Sequence, residues 1–334
     1  MRLCSIGCGR HAESSHGPAQ AKCAATRPGL ELAACCDVDA GRAEGHRQRF
    51  GFAQAFTDPF AMLEAVRPDA VVVIVPDDVV TDLVERLFTY GIPLLIEKPP
   101  GRTLAEVDRL IAAAERGARD GAPVPHQVGL NRRFVPLLRE TRERLDVLGG
   151  ASSVQHVHYE MTRVERRDPD FSVTAIHGID AVRYLAGSDY SQARLRYREL
   201  PDLGPGVANI FIDAVMASGA TAHVAFCPVA GVLVERAVIH GHDHSLYVNV
   251  PLWDAFDSPG RLQHIERGKL VAEIAGSSVA GGGEAFELGG FHAEYVAFLD
   301  DLAAGRAPSP SLREARQSVA IAEQIRLRRE EFSA

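Results

Sequence analysis

The rhythm of hydrophobic and polar positions changes partway along this chain. Up to about residue 130, unbroken apolar runs alternate with stretches whose apolar positions recur every three or four residues. "RLCSIG" reads as a first strand, and a helix follows from about His11 to Thr26. "LELAACCD" is a second strand and Val71 to Val75 a third. Val80, Leu83, Val84 and Leu87 then fall at helical spacing, and "IPLLIE" and "PVPHQVGL" read as two further strands. Thr103 and Glu106 form a capping box ahead of the stripe Leu104, Val107, Leu110 and Ile111. Apolar strands between amphipathic helices predict an α/β domain over residues 1–130, a doubly wound parallel sheet covered on both faces.

Beyond about residue 150 the period drops to two. "SVQHVHYEM", "ARLRYREL", "ANIFIDAVMA", "TAHVAFCPV", "VERAVIHG" and "SLYVNV" alternate as strands with turn residues between them. One helix interrupts them from about Ala175 to Leu185. Two more close the chain: Phe291, Tyr295, Phe298 and Leu302 mark one stripe, and Leu312, Ala315, Val319 and Ala322 the other. Ser311 and Glu314 cap the last helix. Residues 131–334 are therefore expected to form an α+β domain with a large, open, mostly antiparallel sheet, its C-terminal helices free to pack back on the first domain. "GSSVAGGGE", 276–284, reads as a mobile loop.

Composition narrows the function. The 334 residues fit two good-sized domains, and 46% hydrophobic with 24% charged residues is a globular balance. A net charge of −8 would repel nucleic acid and anionic membranes. The longest apolar run, Ala70 to Val75, is strand-sized, and the apolar part of "MRLCSIGCGR" is short for a signal peptide. A cytoplasmic location is expected. The six cysteines make no Cys-x-x-Cys pair and read as small core residues rather than zinc ligands.

Two motifs carry chemistry. In "GCGRHA", placed where the first strand turns into the first helix, Gly7 permits the tight turn and Gly9 lets a pyrophosphate approach the backbone. Ala12 allows close helix–strand packing. Phosphate would rest on the helix N-terminus. Asp37 ends the second strand, placed to accept hydrogen bonds from an adenosine ribose, so a dinucleotide-binding Rossmann domain is expected. A carboxylate there would repel a 2′-phosphate, favouring NAD over NADP, unless Asp37 only caps the next helix and Arg42 takes that phosphate. The second motif is "LLIEKPPGR": Glu97 and Lys98 end a strand at the sheet edge where ligands bind, and Pro99 and Pro100 fix the backbone behind them. Lys98 is one of three lysines in a chain that otherwise uses arginine. Lysine, unlike arginine, can give up a proton. One of the two X-Pro bonds is a candidate for cis.

With these pieces the chain resembles the Gfo/Idh/MocA family of oxidoreductases. The matching segments are "GCGRHA", "CCDVD", "EKP" at 97–99, "VGLNRRFVP" at 128–136 and "IHGIDAVRYLAG" at 176–187, in the family's order. The resemblance implies hydride transfer between NAD (NADP less favoured) and a secondary hydroxyl or ketone of a sugar, sugar derivative or cyclitol. It also implies a homodimer or homotetramer, which an open sheet face would serve. Lys98 takes the place of the lysine that contacts the reacting oxygen, and His177 that of the acid/base histidine. Arg132 matches a basic residue lining the substrate site in some members, and Asp180, one turn after His177, is a further substrate-side candidate. Gly7, Gly9, Arg10 and His11 are candidate cofactor residues, together with Asp37, Pro76, Glu97 and Lys98. There is a departure: Val173 stands where inositol dehydrogenases usually have an aspartate, four residues before the histidine, so the Lys-Asp-His trio is incomplete.

"HVHYE" places His156, His158 and Glu160 on one strand face, and "HGHDH" gathers His240, His242 and His244 about a turn. Both read better as strand-face and turn residues than as metal ligands, and no metal is expected. Two rival functions share the fold: an NAD-dependent glycoside hydrolase and a non-catalytic NAD-binding sensor.

Overall fold

The computed structural model describes residues 1–118, 121–253 and 255–334. It divides into two compact units, one of Met1–Leu130 with Phe291–Val319, the other of Asn131–Gly290 with Ala320–Ala334. Among the described residues no helix is long and apolar enough to cross a membrane.

The first unit holds a six-stranded sheet of β1 (Arg2–Ile6), β2 (Glu31–Cys36), β3 (Gln54–Phe56), β4 (Ala70–Val73), β5 (Leu94–Glu97) and β6 (His126–Gly129). Its order is β3-β2-β1-β4-β5-β6, with every pairing parallel. The strands are apolar on both sides because both sides are covered: Val71, Val72 and Val73 are fully buried, as are Leu94, Leu95 and Ile96. The strand order reverses between β1 and β4, which opens a crevice at their carboxyl ends. Thr103 and Glu106 make the expected reciprocal cap on the helix Leu104–Arg116, with Glu106 N donating to Thr103 Oγ1 at 3.1 Å and Thr103 N to Glu106 at 2.9 Å. Ser311 and Glu314 cap Leu312–Arg326 in the same way.

The second unit is built on a nine-stranded sheet. Its strands are β7 (Val154–Thr162), β8 (Tyr190–Glu199), β9 (Ala208–Met216), β10 (Thr221–Cys227) and β11 (Val234–Gly241). They continue as β12 (His244–Val250), β13 (Arg261–Glu266), β14 (Lys269–Ala275) and β15 (Glu331–Ser333). The order is β14-β13-β12-β11-β7-β10-β9-β8-β15, antiparallel throughout except for β7 beside β10. Alternation along β7 turns Val157, Tyr159 and Met161 into the core, while His156, His158 and Glu160 stay half-exposed. The helix Ser172–Ala186 lies against the buried face. It comes so close that a Cβ on Gly178 would sit 2.7 Å from the Phe226 ring. Short helices occupy Gly276–Val279 and Ala285–Leu288, so the segment expected as a mobile loop carries helical structure at its start.

Candidate active site

The glycine loop follows β1 at the carboxyl edge of the first sheet. Gly7 has φ +97°, and a Cβ there would lie 1.9 Å from the Ile74 carbonyl oxygen, so the turn accepts only glycine. A Cβ on Gly9 would meet nothing within 4 Å, leaving open space above the backbone where a phosphate is expected. Arg10 beside it is exposed, and Pro76, beyond β4, is exposed too. Asp37 is buried just after β2. One of its oxygens accepts from Cys8 N at 2.9 Å; the other accepts from Asp39 N at 2.9 Å and from Arg42 Nη2 at 2.8 Å. Burial pushes this carboxyl up, but those N–H donors and the guanidinium outweigh it and hold the group below the usual carboxylate range. Asp39, not Asp37, caps the following helix. Open space over Gly9, a helix N-terminus and an ionised carboxylate at the end of β2 together fit a dinucleotide.

Beside the loop, Glu97 ends β5 facing two histidines. Its Oε1 lies 3.1 Å from His16 Nε2 and 3.4 Å from His11 Nε2. In an α-helix residues five apart point about 140° away from each other. Here Ala12–His16 is a π-helical turn, and the two rings meet edge to face with centroids 4.9 Å apart. The far nitrogen of His16, Nδ1, is 2.9 Å from the Tyr295 hydroxyl, which also accepts from Gln20 Nε2 at 2.9 Å. The Phe291 ring packs on both histidines. Burial pushes the Glu97 carboxyl up, yet the hydrogen bonds it accepts from His11 and His16 prevail and keep it ionised. Burial lowers His16, overriding Glu97, so its ring is neutral. Glu294, one residue from Tyr295, is wholly buried with both carboxyl oxygens lacking a hydrogen-bond partner. Burial and the charge of Glu97 push it far above the ordinary range, so it is protonated. Lys98 follows Glu97 half-buried, and the Lys98–Pro99 bond is the cis one of the pair. His16, Tyr295, Gln20 and Glu294 did not emerge from the sequence; the glycine motif ends before His16, and Tyr295 reads only as one position of an apolar stripe.

In the second unit His177 is half-buried on Ser172–Ala186. Asp180, fully buried, accepts from Arg133 Nε and Nη2 at 2.7 and 2.8 Å and lies 3.5 Å from Arg183 Nη1. Arg132 is 2% exposed and donates to Glu235 at 2.9 and 2.8 Å; Glu235 also takes Arg163 and the Tyr159 hydroxyl. The two residues expected on the substrate side are thus built into interior ion pairs, which sequence spacing could not reveal because Glu235 is a hundred positions from Arg132.

The histidine-rich strands lie elsewhere on the sheet. His156 stacks on His240 and His158 on His223, while His244 Nδ1 meets His264 Nε2 at 3.0 Å. Among the described residues, the one set of three or more metal-ligand side chains that converges is His11, His16 and Glu97. A groove of about 650 Å³ in the first unit, lined by Asp69, Pro93, Ile111, Val124 and Leu302 among others, opens at the amino ends of the strands, the edge opposite the glycine loop.

Residues 1–119 match the model of an oxidoreductase family with an NAD-binding Rossmann fold, Gfo/Idh/MocA. The chain is 33% identical over 166 residues to inositol 2-dehydrogenase 2 of Saccharopolyspora erythraea, covering 48% of each chain. It is 32% identical over 116 residues to D-glucoside 3-dehydrogenase of Escherichia coli, covering 35% of this chain and 32% of that one. The chain spans about half the length of the first of these relatives and a third of the second. The crystal structure of an oxidoreductase domain protein from Kribbella flavida superposes with a TM-score of 0.81 at 21% identity, covering 99% of this chain and 98% of that one, a likeness of fold.

Proposed function

We propose that this chain, whose residues 1–119 match the Gfo/Idh/MocA family of oxidoreductases, is a dehydrogenase for a sugar, sugar derivative or cyclitol. It would move a hydride between NAD and a secondary hydroxyl or ketone. The observation that carries this reading is the content of one sheet edge: open space over Gly9, the ionised Asp37 after β2, and Lys98 directly after β5. The substrate class rests on the inositol and glucoside dehydrogenases among the relatives.

When bound, the nicotinamide would supply the hydride acceptor or donor. The residues of this chain do the rest. Gly7 and Gly9 keep the backbone low and Arg10 and His11 open the helix whose free N–H groups face the phosphates. Asp37 takes the adenosine ribose hydroxyls, and its charge favours NAD. Arg42, already paired with it, is the group that would tolerate a 2′-phosphate, which ranks NADP second. Glu97 and Pro76 border the nicotinamide end. Lys98 holds the reacting oxygen and stabilises negative charge as it develops, and His177 carries the proton that leaves or joins that oxygen. Val173 leaves His177 without the aspartate that inositol dehydrogenases usually place there. Free thiols, buried at Cys4, Cys8, Cys23, Cys35 and Cys36 and half-buried at Cys227, fit a reducing cytoplasm. The half-exposed sheet face bearing Phe211, Val238 and Tyr247 is the surface a homodimer or homotetramer would cover.

The test is NADH appearance over a panel of sugars, sugar acids and cyclitols with NAD and NADP, wild type beside Lys98→Ala. A substrate-dependent signal larger with NAD, falling by roughly 10²–10³ in kcat in the variant with NADH affinity kept, is the expected result. Silence across the panel with NADH still bound would sink the dehydrogenase, and cleavage of a glycosidic bond without net NADH would replace it with the hydrolase.

A further inference from the structure

We propose that His11 Nε2, His16 Nε2 and Glu97 Oε1 form a binding site for one divalent ion of the zinc class. One ligand atom from each residue lies within 4.8 Å of the others, and Glu97 Oε1 is 3.1 Å from His16 Nε2 and 3.4 Å from His11 Nε2. Zinc takes nitrogen and carboxylate oxygen at roughly 2.0–2.2 Å, which sets tetrahedral ligands about 3.3 Å apart. The cluster therefore needs little movement to close on an ion. Two imidazoles and one carboxylate are a donor set for zinc, cobalt or ferrous iron rather than for magnesium or calcium, which prefer all-oxygen shells.

Three features support a built site rather than a chance meeting. The π turn Ala12–His16 is what brings a residue five positions from His11 onto the same side, and such turns concentrate at functional places. The outer nitrogen of His16 is 2.9 Å from the Tyr295 hydroxyl, the kind of second hydrogen bond that fixes the ring of a metal-bound histidine. The ligands also differ in access: His16 and Glu97 are 0% and 6% exposed while His11 is 40% exposed. The two inner ligands are thus buried, and the third is open to solvent, which leaves an entry path for an ion.

Ion binding changes no oxidation state. Without metal, the Nε2–H groups point at Glu97. With metal, each ring binds through Nε2 and carries its proton on Nδ1, where His16 would donate to the Tyr295 oxygen. The site shares His11 and Glu97 with the proposed cofactor edge, but its test contains no dinucleotide and no substrate, so either reading can fail alone.

The experiment uses the full chain stripped with a chelator, titrated with Co²⁺ and followed by visible absorption, then with Zn²⁺ as competitor. Wild type should take up one Co²⁺ per chain with the strong visible bands of a low-coordinate nitrogen–oxygen site, which Zn²⁺ abolishes. His11→Ala, at the partly exposed ligand, should bind with affinity lower by roughly tenfold or more, and Glu97→Gln likewise; far-UV circular dichroism checks that both fold. No visible bands in wild type, or bands of equal affinity in folded His11→Ala, would overturn the proposal. The second result would place the ion on other histidines, such as the exposed His242.

Discussion

Each unit buries a glutamate in its interior, and the two are neutralised in opposite ways. Glu235 in the second unit is met by Arg132, Arg163 and the Tyr159 hydroxyl. Glu97 in the first is met by two imidazoles. Burial alone would raise both carboxyls; the arginines hold Glu235 down at about 2, and the histidines keep Glu97 ionised as well. The guanidinium partners stay charged and present rigid forks of donors, so the Glu235 cluster has one state. Imidazoles change tautomer, accept protons and bind metals, so the Glu97 cluster has several. A permanently charged cage marks architecture, and a titratable one lies where the cofactor is proposed to sit.

Removing the carboxylates should expose this difference. Glu235→Ala leaves two buried guanidinium groups without their counter-charge, and breaking such a set costs about 3–5 kcal/mol. Urea unfolding should show a loss of that size; a loss under 1 kcal/mol would mean that water reaches the arginines. Glu97→Gln keeps the shape and one acceptor, so the expected loss is smaller, about 1.5–3 kcal/mol at pH 7. Glu97 is depressed in the folded state, so its contribution is present above the unfolded value of 4.5 and fades as pH falls through the folded value. The gap between wild type and variant should therefore narrow in acid, and a gap constant down to the acid limit would refute the charged state assigned to Glu97. An effect of the opposite sign is expected at Glu294, whose carboxyl is raised and neutral. Its contribution is full below 4.5 and declines as pH rises, with a slope of up to about 1.4 kcal/mol per pH unit. Glu294→Gln should match wild type near pH 5 and exceed it near pH 8; identical slopes would mean Glu294 is ionised in the fold.

The strands that were legible in the sequence are the ones with a clear environment on each side. The run Val71–Val73 reads as a strand because both faces are covered, and "HVHYE" because only one is. β3, β14 and β15 escaped because they are edge strands that bury little: β14 is exposed or half-exposed at every position. The helix Ala40–Phe50 escaped for a similar reason, with only Ala43, His46 and Phe50 buried in a polar sequence. At the candidate site, Gly7, Gly9, Asp37 and Lys98 are legible because each sits at a strand end, where position alone implies a role. His16 and Tyr295 are not, since they meet across nearly the whole chain and through a π turn that no 3.6-residue pattern anticipates. Arg132 and Asp180 were legible as charged residues, but spacing says nothing about the buried partners that claim them.

The first unit is not continuous in the chain: Phe291–Val319 belongs with Met1–Leu130. During synthesis, the stretch that ends at Leu130 leaves the ribosome without Phe291, Glu294 and Tyr295. Some 160 more residues must be made first, roughly 8–30 s at ordinary elongation rates. Through that interval His16 and Gln20 have no Tyr295 hydroxyl to meet, and the glycine loop emerges well before the helix that backs it. A nascent chain therefore carries its nucleotide fingerprint early and finishes the wall behind it late, a delay in which a dinucleotide or a chaperone could reach the half-made unit.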